Sequence, residues 1–338
     1  MAECRDTLVV PRLRTPGGGV SNVDTGATGG SSLGASQRAS GGTAGIAPNP
    51  PRGFLLINPR SGDGSPTPEE LARAAESQGT EARILKPEDD AQALAREAAD
   101  RAPALGMAGG DGSLAAVATV AIERDLPFVP VPFGTRNHFA RDVGFDRDDP
   151  FAALTAFAGP ERVVDVGAVD GRIFLNNVSL GVYASFVHDP ERKTRNRLMA
   201  FLRMAPAALG RSRRPLDLSF ELEGRRERHQ ALVVLVGNND YRIESMSELG
   251  ARQRLDEGLL HAYVVEAATR TTLLGLLFRA AAGKAEEAEA FTEWAAPRFS
   301  VESRHRRLHA AIDGEPAVLE SPLRFEIRPR ALRVLLPA

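Results

Sequence analysis

Apolar and polar positions change period part-way along this chain. From residue 53 to about 145, strand-like runs alternate with helical segments. Gly53–Ile57, Glu81–Leu85, Ala104–Ala108 and Phe128–Val131 read as strands; Thr67–Gln78, Asp90–Arg101 and Ser113–Arg124 read as helices. Thr67-Pro68-Glu69-Glu70 carries capping-box spacing with proline at the first helical position. Strand, loop and helix in repeated order predict an α/β nucleotide-binding domain with a doubly wound sheet. Beyond Phe151–Ala158 the pattern turns to short alternating or apolar runs. Arg162–Val169 and Arg172–Leu180 flank the turn Asp170-Gly171; Leu216–Glu223, His229–Gly237, Leu259–Glu266, Arg298–His305, Leu308–Ile312, Leu323–Arg328 and Leu332–Leu336 follow. These predict a second, largely antiparallel domain. Residues 17–51 are dominated by Gly, Ser, Thr, Ala and Pro, which cannot bury enough surface to offset ordering entropy, so a disordered tail over 1–51 is expected. No basic start leads into an apolar stretch there, which argues against a secretory signal.

Three polar loops follow three successive strands of the first domain. Gly109-Gly110-Asp111-Gly112-Ser113 stands between Ala104–Ala108 and a helix-forming run. Its glycines let backbone approach a ligand closely, and the next helix presents free N–H groups and a positive end to phosphate. Ser113 is placed to cap that helix or to donate to a phosphate oxygen, and Asp111 suits Mg²⁺ or a hydroxyl proton. Asn58-Pro59-Arg60-Ser61-Gly62-Asp63-Gly64-Ser65 follows the first strand, and Pro132-Phe133-Gly134-Thr135-Arg136-Asn137-His138-Phe139-Ala140-Arg141 follows the fourth. In an open parallel sheet such loops gather at the carboxyl edge, where ligands bind.

Asn58–Gly62, Gly109–Ser113 and Gly134–Arg141 resemble the three nucleotide motifs of the diacylglycerol kinase catalytic-domain family, including its bacterial soluble and sphingosine-kinase-like lipid kinases. The resemblance covers about residues 53 to 338, although Gly-Gly-Asp-Gly also occurs in NAD kinases and 6-phosphofructokinases. A fourth match, Ala310-Ala311-Ile312-Asp313-Gly314-Glu315-Pro316, looks like the Asp-Gly-Glu element of the lipid branch. Two carboxylates flanking a glycine suit phosphoryl transfer, one as base and one holding metal or orienting the base. Asp-Gly is also the favoured type I′ hairpin pair, and both readings are compatible.

The resemblance implies an ATP-dependent lipid kinase using Mg²⁺. Its α/β ATP-binding domain spans 52–160, a β-sandwich lipid-substrate domain spans 161–320, and 321–338 returns to the first domain. Asn58, Pro59, Arg60, Ser61, Gly62, Gly109, Gly110, Asp111, Gly112, Ser113, Thr135 and Asn137 would bind nucleotide, with Lys86 at the place of a nucleotide-contacting polar residue. Asp313, Glu315 and Asp111 would carry catalysis, with Glu315 favoured over Asp313 as base. Leu255-Asp256-Glu257-Gly258-Leu259-Leu260 resembles a segment binding a structural Mg²⁺, which implies Glu257 as ligand with backbone oxygens of Arg254 and Leu259. A solvated turn is the plain alternative. The chain departs from the family pattern at Ser113, where threonine is usual, at Arg136 and His138, where glycine and aspartate are common, and at Glu257, where aspartate is usual.

Composition narrows the partners. A net charge of −2 argues against bulk nucleic-acid binding. Cys4 is the only cysteine, so no intrachain disulfide forms and a reducing cytoplasm is comfortable. No apolar run approaches the roughly 20 residues of a membrane span. A lipid acceptor is therefore expected at the membrane surface, peripherally on its inner face. Arg192 to Arg214 holds eight basic residues and no acids, interleaved with apolar ones, a pattern that fits either a helix lying on an anionic membrane surface or a plain solvated face. Thr272–Arg279 is a second apolar stretch, better read as buried against the second domain. Family members are often dimers, which makes a homodimer an expectation. The rival readings are an NAD kinase-like enzyme with Asp111 as base, and a non-catalytic nucleotide or lipid sensor on the same fold. No Gly-x-Gly-x-x-Gly follows the first strand, which disfavours a dehydrogenase.

Overall fold

The computed structural model describes residues 52–62, 64–181, 215–222, 224–241, 252, 254–266 and 291–337. The first half begins as strand, helix, strand: β1 (Phe54–Ile57), α1 (Pro68–Ser77), β2 (Glu81–Ile84), α2 (Ala91–Ala99), β3 (Leu105–Gly109), α3 (Asp111–Arg124), β4 (Phe128–Pro132) and α4 (His138–Val143). Thr67 closes a full capping box with Glu70 at the start of α1, and Asp90 caps α2 through the amides of Gln92 and Ala93. Short α5 (Pro150–Ala153) and a 3-10 turn (Leu154–Ala158) end the run.

Strands β2-β1-β3-β4 pair in parallel in that order. The chain steps one way from β1 to β2 and the other way from β3 to β4. The topological switch therefore falls between β1 and β3, where an open α/β sheet forms its ligand crevice. β1, β3 and β4 are buried along their whole length, as strands covered on both faces must be.

The second half is antiparallel: β5 (Glu161–Val169), β6 (Arg172–Phe174), β7 (Asn177–Gly181), β8 (Leu216–Leu222), β9 (Arg225–Asn238), β10 (Leu260–Glu266), β11 (Phe291–Ala296), β12 (Arg298–Ser303), β13 (Arg307–Ile312), β14 (Glu315–Glu320) and β15 (Leu323–Leu335). It forms a β-sandwich around Phe174, Val178, Leu218, Val234, Val264, Phe299 and Phe325. A separate core around Leu55, Met107, Val117 and Phe128 fills the α/β half. β5 and β15 belong to both. Val164 and Val166 lie in the first core and Val169 in the second; Leu323 and Phe325 lie in the second and Leu332 and Val334 in the first. Val334 pairs in parallel with Phe128 of β4.

Three expectations change in detail. Arg172–Leu180 is two strands, because Leu175 and Asn176 turn between β6 and β7. Leu323–Leu335 is one strand: its ladder with β5 shifts register between Arg328 and Leu332, where Arg330 adopts a left-handed φ of 53°. The helix after Gly109 begins at Asp111, two residues earlier than expected, with Gly110 as N-cap. The tail, the basic Arg192–Arg214 stretch and Thr272–Arg279 lie outside the described residues.

Candidate active site

The loops leaving β1, β3 and β4 meet over the switch point. Asn58 Nδ2 donates to Ser113 Oγ at 2.9 Å, and the Gly110 amide donates to Ser61 Oγ at 3.3 Å, so the first loop is tied to the second twice. Asn58 also accepts the Arg60 amide at 3.0 Å on Oδ1 and the Ser61 amide at 3.1 Å on its carbonyl, which folds its own loop. The third loop touches the second through backbone. A Cβ on Gly134 would stand 2.6 Å from Gly110 Cα, so glycine is required for the approach. Asn137, in a left-handed φ of 48°, clamps Gly134 by accepting its amide at 2.9 Å and donating to its carbonyl at 2.7 Å.

Ser113 does not cap α3. It sits in the first turn, where its hydroxyl receives Asn58. The N-cap is Gly110, which has no side chain to offer, so the leading amides of α3 are left without a side-chain cap. A fourteen-residue helix opening uncapped onto a glycine loop presents N–H groups and positive potential to an anion. Asp111 faces the third loop and accepts the amides of His138 (3.2 Å) and Phe139 (3.1 Å), capping α4 from outside. His138 is half-buried and its Nδ1 meets no hydrogen-bond partner among the described residues; burial pushes the imidazole below its ordinary range, with Asp111 pulling the other way. A neutral ring therefore stands where the family commonly has a carboxylate. Thr135 and Arg136 are exposed at the rim, as are Pro59, Arg60 and Gly62. Lys86 is also exposed, past the end of edge strand β2, with its amide on Asp89 Oδ2.

The Asp-Gly-Glu element closes over this edge from the sandwich. Asp313 and Gly314 have φ of 48° and 81° and form the two-residue turn of the β13–β14 hairpin, with Ile312 opposite Glu315. The turn carries Glu315 onto the glycine loop that opens α3. A Cβ added to Gly112 would lie 2.3 Å from Glu315 Cγ. Asp313 points inward and is 8% exposed. Its carboxylate accepts the amides of Leu175 (2.8 Å), Asn176 (2.7 Å) and Asn177 (3.1 Å). Burial nevertheless wins, pushing its pKa up to about 7; the three amides oppose this and the charge of Asp111 adds to it. A cleft of about 110 Å³ runs beside the hairpin, lined by Ala115, Ala116 and Thr119 of α3 and by Arg172, Asp313 and Glu315.

The diacylglycerol kinase catalytic domain matches residues 52–169, and a YegS C-terminal, NAD kinase β-sandwich-like domain matches residues 176–336. A relative from Pseudomonas fluorescens named "Probable lipid kinase YegS-like" is 32% identical over 270 residues, which are 79% of this chain and 88% of that protein. The chain belongs to the diacylglycerol kinase catalytic-domain family. It is a kinase of the lipid-kinase branch. A Bacillus subtilis diacylglycerol kinase is 28% identical over 53% of this chain and 60% of its own length. A solved diacylglycerol kinase structure from Bacillus anthracis shares the fold, with a TM-score of 0.61 at 17% identity, covering 84% of this chain and 96% of that one.

Arg252 and Asp142 form an ion pair at 2.7 Å with both side chains fully buried. Arg252 also donates to the carbonyls of Leu175 (2.6 Å) and Asn238 (3.1 Å) and to Asn176 Oδ1 (2.9 Å), and it lies over the Tyr241 ring. This cluster holds the Leu175–Asn177 segment whose amides receive Asp313. Arg252 sits in a polar stretch and gives no signal. Asp165 does give one, as a lone carboxylate inside an apolar run; it accepts the amides of Gly258 (2.7 Å) and Arg330 (2.8 Å). Of the implied Mg²⁺ ligands, Leu259 O accepts the Asn239 amide, and the Glu257 carboxylate accepts the Asp240 amide at 3.4 Å and faces His261 Nε2 at 3.5 Å.

Proposed function

We propose that this chain transfers the terminal phosphoryl group of ATP, with Mg²⁺, to a hydroxyl of diacylglycerol or a related membrane lipid. The observation that carries this reading is the seating of Glu315 against Gly112, with Asp313 two residues away. About 200 residues of intervening chain return a carboxylate pair to the anion-binding end of α3. An ordinary hairpin has no reason to end there.

The uncapped amides of α3 and the hydroxyls of Ser61 and Ser113 would hold the phosphates. Asp111 and Glu315 supply the hard oxygen donors that suit Mg²⁺, which when bound neutralises charge developing on the phosphates. Asp313 is a better base than Glu315. Its carboxyl lies near neutral pH, where a general base is most effective, and three amides fix its orientation. The lipid hydroxyl would enter along the cleft beside α3. As its oxygen bonds to the γ-phosphorus, its proton passes to Asp313, the bond to the β-phosphate oxygen breaks, and ADP leaves. A cleft of about 110 Å³ is too small for acyl chains, which would stay outside in the membrane, as a peripheral enzyme requires. No helix among the described residues is long and apolar enough to cross a bilayer.

The test is incubation of the purified chain with labelled ATP and Mg²⁺ in mixed micelles holding diacylglycerol, a long-chain base, a glycolipid or phosphatidylglycerol in turn. Label in one lipid, lost in Asp313→Asn and Glu315→Gln, is the expected result and names the acceptor. ATP binding with no label in any lipid would overturn it. NADP⁺ formed from NAD⁺ would overturn it in favour of the NAD kinase reading.

A further inference from the structure

A second cluster of ionisable groups lies at the edge of the sandwich, outside the phosphoryl-transfer site. His261 and Tyr263 share one face of β10, since they are two residues apart in a strand. β11 pairs antiparallel with β10 and sets Glu293 opposite Tyr263, on that same face. Asp240, just past the end of β9, completes the group. His261 Nδ1 lies 3.0 Å from Glu293 Oε1 and 3.8 Å from Asp240 Oδ1, and the three ligand atoms are all within 4.8 Å of one another. Glu257 stands on the other side of the ring, with Oε2 3.5 Å from Nε2.

We propose that Asp240, His261 and Glu293 form a binding site for a divalent transition ion, of which Zn²⁺ is the representative probe. Ligand atoms 2.0–2.2 Å from one such ion stand roughly 3–4 Å apart, the spacing seen here. One imidazole with two carboxylates is a borderline N/O set that favours Zn²⁺ or its neighbours over Mg²⁺ or Ca²⁺, which want oxygen throughout. The surroundings are those of a ligating histidine. His261 is only 8% exposed, and its Nε2 meets no hydrogen-bond partner among the described residues. With Nδ1 on the metal, Nε2 would carry the proton and Glu257, 3.5 Å away, would be its carboxylate neighbour, in the manner of a carboxylate–histidine–metal arrangement. Tyr263 donates to Asp240 Oδ1 at 2.9 Å and orients a second ligand in the same way. Glu293 is exposed, which leaves the ion a path in and open positions for water. The ion would pin β11 and the end of β9 to β10. These ligands differ from the Glu257, Arg254 and Leu259 set that the family resemblance implied, and the proposal does not depend on the kinase reading.

The competing explanation is a protonated His261 paired to its carboxylates with no metal at all. Titration of tag-free, chelator-treated full-length protein with Zn²⁺ by calorimetry, alongside thermal melting, separates the two. One equivalent should bind and raise Tm, and Asp240→Asn, His261→Gln and Glu293→Gln should each weaken binding at least tenfold. Glu257→Gln should weaken it about tenfold through the ring. Glu293→Gln changes an exposed side chain, so loss of binding there reflects lost ligation, and a Co²⁺ absorption band present in wild type should vanish in it. Asp313→Asn should bind Zn²⁺ as wild type does. Absence of saturable binding by wild type, or binding undiminished in Glu293→Gln, would overturn the proposal.

Discussion

The carboxyl edge of the parallel strands and the seam behind it handle polar groups in opposite ways. In the seam, Arg252 places its donors on Asp142, Leu175, Asn238 and Asn176, and both charges are fully buried. At the edge, Gly110 leaves the first amides of α3 uncapped and small residues keep the backbone open. Burial of this ion pair is tolerated in the seam because the protein supplies the partners of the Arg252 guanidinium. Under the proposed function, the edge keeps donors in reserve for a ligand that carries its own charge. Asp313 stands between the two regimes. It is held by three amides as a seam residue is, yet its carboxyl lies near neutral pH, where it can exchange a proton. A site that must bind, react and release needs both a fixed frame and unsatisfied groups, and here they are built from adjacent segments.

That contrast breaks if seam variants spare the fold or edge variants destroy it. Arg252→Met should have the largest effect on folding, about 3–5 kcal/mol measured by urea denaturation, because it leaves buried Asp142 with only Arg141 as a cationic partner and strips the carbonyls of Leu175 and Asn238 and the Asn176 side chain of their donor. Asp313→Asn should lower phosphoryl transfer by roughly 10²–10⁴-fold with ATP binding retained, checked by turnover and nucleotide titration. Wild-type turnover should climb as pH rises through about 7, and this limb should vanish in the variant. Stability should show the reverse sign. A carboxyl raised from 3.8 to about 7 stabilises the fold fully at low pH, and that contribution is lost as pH rises through 7. Gly112→Ala should cost about 10²-fold in turnover by displacing Glu315, while melting stays near wild type because alanine is the better helix residue. Ser113→Ala removes the Asn58 bond and should cost about 1 kcal/mol, read as a rise in KM for ATP. The exposed Arg96–Glu123 pair is a control: Arg96→Ala should change stability by less than about 0.5 kcal/mol.

Much of the α/β half was legible because its signals are local. The capping box at Thr67, the cap at Asp90 and the glycine loops announce themselves within a few residues. The start of α3 was misread because Ser113 is a stronger cap residue than Gly110, and the ligand loop claims it for Asn58. α4 was missed since six residues are too few to show a helical period. β14 was missed because Pro316 and alternating exposure disguise an edge strand. Leu323–Arg328 and Leu332–Leu336 looked like two strands because Pro329 and Arg330 interrupt the apolar pattern at the register shift. In the site, the three loops and the Asp-Gly-Glu element could be listed from sequence, but not that Glu315 would rest on Gly112. Arg252, Asp142 and the Asp240–His261–Glu293 cluster were illegible for the same reason. Sheet register and long-range packing bring them together, and no spacing along the chain encodes that.

The most direct test of the central claim is single-turnover transfer of label from ATP to the acceptor lipid, followed against pH in wild type and Asp313→Asn. The account predicts a rate that rises to a plateau above pH about 7 in wild type, and a rate at least about a hundredfold lower without that rise in the variant. Equal rates and the same pH limb in both proteins would contradict it, and would place the base elsewhere.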